Sequence, residues 1–207
     1  MTTAILPNAN TQHPAKMGVT WPRPLQWTCV DLEQMGGLPS FRDRKLMLIE
    51  GEILEMAPPG PLASICQLLI ENWLRLVFPP DQFCVRVQLG MFFGINTDPV
   101  PDIAVVQGTP RTQSRHPRTA LLIVEVADSS LAYDTGEKAG LYAAAGISDY
   151  WVVDVIDRKL HVFRNPQPDA TQLYGHGYGQ IQVLDPTKSI SPLASAAHSV
   201  IVSDLLP

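Results

Sequence analysis

Asp102, Glu125 and Lys138 are three ionisable residues at positions where the surrounding sequence is apolar. Asp102 directly precedes the run IAVV, Glu125 lies near the end of the run ALLIVEV, and Lys138 falls on the apolar stripe of a helical pattern. A buried charge destabilises a protein unless a partner compensates it. We therefore expect these three side chains to share one pocket, where each supplies a partner for the others.

Both acids belong to segments that are typical of central strands. DIAVV and ALLIVEV carry apolar residues on both faces, as strands do when helices cover both sides of a sheet. If the two strands are neighbours, Asp102 and Glu125 converge at one edge of the sheet. Two carboxylates in a semi-apolar cleft repel each other unless a cation intervenes, and hard oxygen ligands suit Mg²⁺ or Mn²⁺. The pair therefore predicts a site for one of these ions.

The segment DTGEKAGLYAAAG predicts the helix that carries Lys138. Asp134 is in position to cap this helix, with Glu137 in the same capping box, and Gly146 is expected to end it. The buried stripe of the helix consists of Lys138, Leu141, Tyr142 and Ala145. Because the helix begins soon after Glu125, its first turn can bring Lys138 back to the end of that strand.

Two acids and a lysine in one pocket are suited to the metal-assisted hydrolysis of a phosphodiester. A divalent ion held by Asp102 and Glu125 polarises a phosphoryl oxygen and lowers the pKa of water beside it. Lys138 would orient that water and offset the charge that develops on phosphorus. The three residues together therefore predict this reaction class.

The other segments must position this pocket. TCVDLEQMGG predicts a short helix capped by Thr28, LMLIEGEILEMAPPG a hairpin that turns near Glu50–Gly51, and FCVRVQLGMFF a strand. DYWVVDVIDRKLHVFR predicts a second hairpin that turns at Asp157–Arg158, and the region around YGHGYGQIQVL predicts short strands and loops. The long helix PLASICQLLIENWLRLVFPP has a predicted buried stripe of Leu62, Ile65, Leu69, Trp73 and Leu76. Interleaved helices and strands predict an α/β sandwich around a mixed sheet.

Two stretches carry a resemblance to known proteins. The dipeptide PD at Asp102, followed one strand later by VEV, resembles the PD-(D/E)XK nuclease superfamily. The longer run VEVADSSLAYDTGEKAGLYAAAGISDYWVVD and the upstream EGEILEMAPPG resemble the Uma-two family of proposed restriction endonucleases, over about residues 28–184. The resemblance implies a restriction-endonuclease-like α/β/α sandwich around a mixed β-sheet. It also implies that Asp102, Glu125 and the backbone carbonyl of Val126 bind the metal.

The sequence departs from the pattern of these relatives at several positions. In the superfamily the lysine follows the acid by two residues, whereas Ala127 stands there in this chain. The resemblance implies that Lys138 serves instead from the neighbouring helix, and that Glu52 supplies a further acid. Met47 and Ala63 stand where relatives often have Glu and His, respectively.

Composition limits the organisation and the partners of the protein. The sequence of residues 1–24 predicts an N-terminal tail. The total length of 207 residues predicts a single endonuclease-like domain over residues 25–207. No apolar run is long enough to span a membrane and no secretory signal is evident, so we expect a cytoplasmic protein. The formal net charge of −5 argues against a broad, non-specific hold on nucleic acid, although it allows a small basic rim around a cleft. The family resemblance implies a homodimer.

Three functions remain open from the sequence. The primary hypothesis is a Mg²⁺- or Mn²⁺-dependent DNA endonuclease that uses Asp102, Glu125 and Lys138. The alternative is a non-catalytic module that binds DNA or protein and retains the nuclease fold, and a hydrolase of small phosphoesters is the third. Each residue also has a simpler interpretation: Asp102 can cap backbone amides, Lys138 can form a surface pair with Glu137 or Asp134, and Gln88 can be an exposed strand residue.

Overall fold

The computed structural model describes residues 23–113 and 115–207. Residues 1–22 of the predicted N-terminal tail lie outside the described residues. In these ranges the α-helices are α1 Cys29–Gly36, α2 Pro61–Val77, α3 Leu131–Thr135 and α4 Glu137–Ala144. The strands are β1 Leu46–Ile49, β2 Glu52–Glu55, β3 Phe83–Val87, β4 Ile103–Gln107, β5 Leu122–Ala127, β6 Asp149–Asp154, β7 Lys159–Pro168, β8 His176–Leu184, β9 Ser189–Ile190 and β10 Val200–Ile201. Among the described residues, none of these helices is both long and apolar enough to cross a membrane.

A six-stranded mixed sheet forms the centre of the fold, in the order β3-β4-β5-β6-β7-β8. The two strands predicted to be central, β4 and β5, are antiparallel neighbours, with Ile103 opposite Val124. Only the β5–β6 pair is parallel within this described sheet, and α3 and α4 form the crossover that this pair requires. All six residues of β5 are buried, as expected for a strand that is covered on both faces.

Two apolar layers cover the two faces of the sheet. Val105 and Val124 share a core cluster with the buried residues of α2. Ala104 and Ile123 share a second cluster with Tyr142 of α4. Because neighbouring strand residues point to opposite faces, α2 and α4 lie on opposite sides of the sheet. This arrangement confirms the predicted α/β/α sandwich, and it places the Glu125 side chain on the face that α4 covers.

The predicted buried stripe of α2 is wrong. Leu62, Ile65 and Leu76 are exposed, and the helix is rotated by about one residue from the predicted orientation. Its buried face consists of Ala63, Cys66, Gln67, Ile70, Leu74 and Val77. The two stripes have the same spacing, so hydrophobic periodicity does not separate them. The rotation buries the polar Gln67, whose side-chain amide donates to the backbone carbonyl of Asp102 at 3.4 Å.

The helix predicted to run from Asp134 to Gly146 is divided in two. Gly136, at φ −106° and ψ −89°, separates α3 from α4, so Asp134 lies inside α3 and does not cap a helix. A Cβ atom at Gly136 would lie 2.8 Å from the carbonyl oxygen of Ala132, so the break needs glycine. Gly146 ends α4 as predicted, in the left-handed conformation at φ +75°.

Both predicted hairpins form. Glu50 and Gly51 have φ values of +49° and +83°, which are typical of a tight turn between two antiparallel strands, and they connect β1 to β2. The second hairpin pairs β6 with β7 through a turn that contains Arg158, at φ +54°. Thr28 and Asp31 form the capping box of α1. The region predicted as short strands and loops contains the nine-residue strand β8, which pairs with β7 at the edge of the sheet.

His116 gives a testable pH dependence of stability. Its ring Nδ1 lies 2.9 Å from Oδ2 of Asp98, and this hydrogen bond raises the pKa of His116 above its ordinary value of 6.5. Protonated His116 therefore stabilises the fold below about pH 6.5, and the contribution is lost as the pH rises through the raised pKa. The ring is half-exposed, so we expect a loss of less than about 1 kcal/mol.

Urea unfolding at about pH 5.5 and about pH 8 measures this contribution. The wild type should lose more unfolding free energy over that interval than His116→Gln, which keeps a polar side chain but cannot be protonated. Equal losses in the two proteins would show that the His116–Asp98 contact adds nothing.

Candidate active site

Asp102 and Glu125 meet where β4 begins and β5 ends. The backbone N–H of Asp102 donates to Oε2 of Glu125 at 3.3 Å, and the backbone N–H of Val126 donates to Oδ2 of Asp102 at 2.9 Å. Each carboxylate is therefore held by the backbone of the other strand. The antiparallel pairing of β4 and β5 produces this reciprocal contact, because it sets the first residue of one strand beside the last residues of the other.

Glu125 is buried, with 1% of its surface exposed. Its Oε1 accepts a hydrogen bond from the hydroxyl of Tyr142 at 2.6 Å and lies 3.0 Å from Nζ of Lys138. Tyr142 and Lys138 both lie on the buried face of α4, as the stripe predicted. The helix thus supplies a hydroxyl and an ammonium group to the same carboxylate oxygen, and the orientation of the Glu125 side chain is fixed.

Lys138 is held among several groups in the interior. Its side chain is 7% exposed, and Nζ lies 3.1 Å from Oδ1 of Asp134 as well as close to Glu125. The Ser130 hydroxyl donates to the other oxygen of Asp134 at 2.5 Å. The ammonium also lies 5.7 Å from the centre of the Tyr133 ring, within the range of a cation–π contact. The pair with Asp134 is therefore buried, and it is not the surface pair that was the simpler alternative.

The site brings together more carboxyl groups than its one lysine pairs with. Burial raises the pKa of Glu125 to about 8, and the nearby carboxylates of Asp102 and Asp134 act in the same direction, against Lys138 and Tyr142. Burial alone would lower the pKa of Lys138, but Glu125 and Asp134 outweigh it and hold that pKa above its ordinary value. Lys138 is therefore a fixed cation at neutral pH, in contact with the carboxyl groups of Glu125 and Asp134.

A cleft of about 290 Å³ opens onto these groups. Asp102, Glu125, Val126 and Lys138 all contribute to its lining. The rest of the lining comes from the first hairpin and the segment after it, from α2, from the residue after β3, and from the segment beyond β5. These residues are Lys45, Met47, Glu55, Met56, Ala57, Pro58 and Pro59; Ala63; Gln88; and Asp128, Ser129, Ser130, Tyr133 and Asp134. A solvent-accessible path to the carboxylates is what a substrate would need.

The structure does not bring Glu52 to this group. Glu52 is exposed, pairs with Ile49 beside the turn of the first hairpin, and is not part of the cleft lining. Glu55 of the same strand does line the cleft, but its carboxylate is paired with Arg44 at 2.5 Å. Met47 also lines the cleft, so this wall presents a thioether where the family resemblance implies an acid.

The site residues that sequence reasoning missed are Asp134, Tyr142 and Ser130. Asp134 was interpreted as a helix cap, and Tyr142 as an apolar member of the stripe. Tyr142 follows Lys138 by one helical turn, which places both on the same face, so its hydroxyl was the available signal. Asp134 precedes Lys138 by four residues, the spacing of a helical ion pair, but the break at Gly136 hid its burial.

Comparison with known protein families identifies the family of this chain. The Uma2 family, described as "Putative restriction endonuclease", matches residues 31–197 of the chain. The chain belongs to the Uma2 family. This match confirms the family resemblance described from the sequence. It supports a nuclease-type function for the Uma2 chain in general terms. Curated protein sequences give no match.

A solved structure has a similar fold. It is described as a "putative nuclease belonging to DUF820 from Anabaena variabilis ATCC 29413", with a TM-score of 0.63 over 77% of this chain and 88% of that chain. The sequences are 20% identical, so the likeness shows the fold alone. It agrees with the mixed sheet between helices described above.

The donors at the site fit a hard divalent cation. Among the residues that the structure describes, no group of three or more His, Cys, Asp and Glu side chains is arranged to hold a metal ion. The available donors are the carboxylates of Asp102 and Glu125 and the carbonyl of Val126. Mg²⁺ is commonly bound by one or two carboxylates and keeps several waters, so this small set of oxygens is sufficient. The excess of carboxyl groups around Lys138 favours an additional cation.

Proposed function

We propose that this Uma2 protein is a Mg²⁺- or Mn²⁺-dependent DNA endonuclease. The observation that carries the proposal is the buried cluster of Lys138 with Glu125 and Asp134, joined through Glu125 to Asp102 at the mouth of a cleft. An internal ion pair of this kind adds little to stability, because desolvation offsets the attraction between the charges. A catalytic role explains its position on an open cleft better than a structural role does.

Asp102, Glu125 and the carbonyl of Val126 would hold the metal ion. When bound, the ion supplies a Lewis acid for a phosphoryl oxygen and promotes ionisation of water. The Val126 N–H fixes one oxygen of Asp102, and the Tyr142 hydroxyl fixes one oxygen of Glu125. These contacts set the directions of both carboxylates before any ligand arrives, and such preorganisation lowers the cost of binding.

Lys138 would act as an electrostatic group and not as a base. Its raised pKa keeps the ammonium protonated at neutral pH, so it cannot accept a proton from water. A cation fixed by Glu125 and Asp134 can stabilise the negative charge that develops on the phosphoryl oxygens, without the cost of reorganisation during the reaction. This role agrees with the one predicted from the sequence.

DNA is the proposed substrate because the family is described as a restriction endonuclease family. The net charge of −5 disfavours strong non-specific binding, so affinity must come from the cleft and from the bound cation. The small-phosphoester hydrolase shares the same site and differs only in substrate. The homodimer and the cytoplasmic location stay predictions from the sequence.

Calorimetric titration with Mn²⁺, combined with nicking of supercoiled plasmid, tests the proposal. Wild-type protein should bind Mn²⁺ and convert the plasmid to nicked and linear forms, and a chelator should stop the conversion. Glu125→Gln keeps the shape of the side chain and removes its charge, so metal affinity should fall by about 10- to 100-fold and cleavage should be lost. Asp81→Asn, which neutralises an exposed acid in the turn before β3, is the matched control.

Two results would contradict the proposal. Plasmid cleavage by Glu125→Gln at the wild-type rate would remove this residue from the reaction. A wild-type protein that takes up no Mn²⁺ and leaves the plasmid intact would favour the non-catalytic binding module.

A further inference from the structure

Gln88 has an unusual backbone conformation beside the candidate active site. Its φ of +50° lies in the left-handed region, which residues other than glycine adopt uncommonly and with strain. The residue follows β3, and its backbone N–H donates to the carbonyl of Asp102 at 3.0 Å. The turned backbone directs the Gln88 side chain into the cleft that Asp102 lines. Unlike Glu50 and Arg158, which have similar φ values in hairpin turns, Gln88 lies beside the site, and this makes it a candidate for a functional role.

The Gln88 side chain connects three groups. Its Nε2 donates to Oδ1 of Asp102 at 3.4 Å and to Oε1 of Gln67 at 3.2 Å. Its Oε1 accepts a hydrogen bond from Nζ of Lys45. The amide oxygen therefore acts as an acceptor and the amide nitrogen as a donor. Exchanging the two atoms would break all three contacts, so the orientation of the amide is fixed. Gln88 thus holds Lys45 on the wall of the cleft, and the same amide contacts the Asp102 carboxylate through its other end.

Lys45 is a cation without a compensating anion in the described part of the chain. It is half-buried, lines the cleft, and forms no ion pair with a described residue, in contrast to Lys138. The only side chain to which it donates within the described residues is the neutral Gln88. An ammonium has three donors, so two remain for a ligand in the cleft.

We propose that Lys45, positioned by Gln88, binds the phosphodiester of the substrate in the cleft that Lys138 also lines. The inference rests on the proposed nuclease function and names a residue for substrate binding. Lysine is a common phosphate ligand because its point charge neutralises a phosphate and releases its counterions. Lys45 would bring one positive charge to a cleft whose lining also contains five carboxyl groups, in a protein with a net charge of −5.

The salt dependence of DNA binding separates this role from a structural one. Loss of one phosphate contact lowers the slope of log K against log salt by about 0.9, whereas a folding defect lowers the active fraction and leaves the slope unchanged. Binding of a short fluorescent duplex is measured by anisotropy in Ca²⁺, a hard cation that oxygen ligands also accept. A gel confirms that the duplex stays intact during the measurement.

The variants are chosen to have matched changes in charge. Lys45→Met should weaken binding about tenfold at low salt and lower the slope by about 0.9. Lys188→Met removes one positive charge from an exposed turn far along the chain and should leave the slope unchanged. Lys45→Arg retains the charge and should restore the slope.

Gln88 is tested as a positioning residue by a double-mutant cycle. Gln88→Ala should weaken binding in the same direction as Lys45→Met. The double variant should have the same salt slope as Lys45→Met alone, because Gln88 acts on the phosphate contact only through Lys45. Additive losses would show that Gln88 acts independently of Lys45.

The outcomes distinguish the inference from the proposed function. A wild-type protein that binds DNA while Lys45→Met keeps the wild-type slope overturns the role of Lys45 and leaves the nuclease proposal intact. Equal slope changes in Lys45→Met and Lys188→Met also overturn it, because they indicate a general charge effect. A wild-type protein that binds no DNA contradicts the proposed function itself.

Discussion

Lys138→Met should reduce plasmid cleavage by about a thousandfold, the loss expected when one preorganised group that stabilises transition-state charge is removed. Methionine retains the apolar stem and removes the ammonium that lies 3.0 Å from Glu125 and 3.1 Å from Asp134. The donors from Asp102, Glu125 and Val126 remain, so Mn²⁺ binding should persist. The expected result is a metal-loaded protein that cleaves very slowly.

Stability must be measured alongside the rate of Lys138→Met. Removal of one partner from a buried ion pair destabilises a protein by about 3–5 kcal/mol, because the remaining charges are left without compensation. Circular dichroism at the assay temperature establishes that the variant is folded. Lys138→Arg serves as the second variant: it keeps a cation near Glu125 and Asp134 and should retain more stability than Lys138→Met. Cleavage by folded Lys138→Met within tenfold of the wild-type rate would contradict the role of Lys138.

Asp149→Ala should have the largest effect on stability, a loss of about 3–5 kcal/mol in the free energy of unfolding. Asp149 begins β6 and has none of its surface exposed. Its carboxylate accepts hydrogen bonds from Nε of Arg164 at 2.8 Å, from the Trp151 indole at 2.8 Å and from the backbone N–H of Leu193 at 2.8 Å. Alanine would remove the acceptor of all three donors, of which the Trp151 indole is buried and the other two are partly buried.

Urea unfolding measures the effect of Asp149→Ala. Asp157→Ala, in the exposed turn between β6 and β7, is the control and should change the free energy of unfolding by less than about 0.5 kcal/mol. Asp149 lies at the start of β6, whereas Glu125 and Val126 are paired with Val152 and Val153 further along that strand, so the change should leave the cleavage rate of folded protein unaltered. A loss below about 1 kcal/mol would show that water replaces the missing acceptor.

The features that could be predicted from sequence are those with a local signal. The sequences of β4 and β5 carry apolar residues on both faces, which predicts central strands, and the Glu50–Gly51 pair predicts the turn of a hairpin. Lys138 was identified because a charge on an apolar stripe requires a partner. A charged residue at a position that the sequence pattern predicts to be buried therefore marks a candidate site.

The features that could not be predicted depend on contacts between distant segments. Lys45, Gln88 and Asp102 meet although they lie on different strands and loops, and no spacing rule connects them. The buried face of α2 was assigned wrongly because two apolar stripes compete. The observed face packs Cys66, Ile70 and Leu74 into the core and also buries Gln67, whose partners are Asp102 and Gln88, and these tertiary contacts have no signal in the helical spacing.

The most direct test of the metal site is the anomalous scattering of a crystal soaked in Mn²⁺. We predict one strong peak within coordination distance of the carboxylates of Asp102 and Glu125 and the carbonyl oxygen of Val126, with Lys138 still on Glu125. A fully soaked crystal with no peak there, or with Mn²⁺ bound only elsewhere, would contradict the central claim.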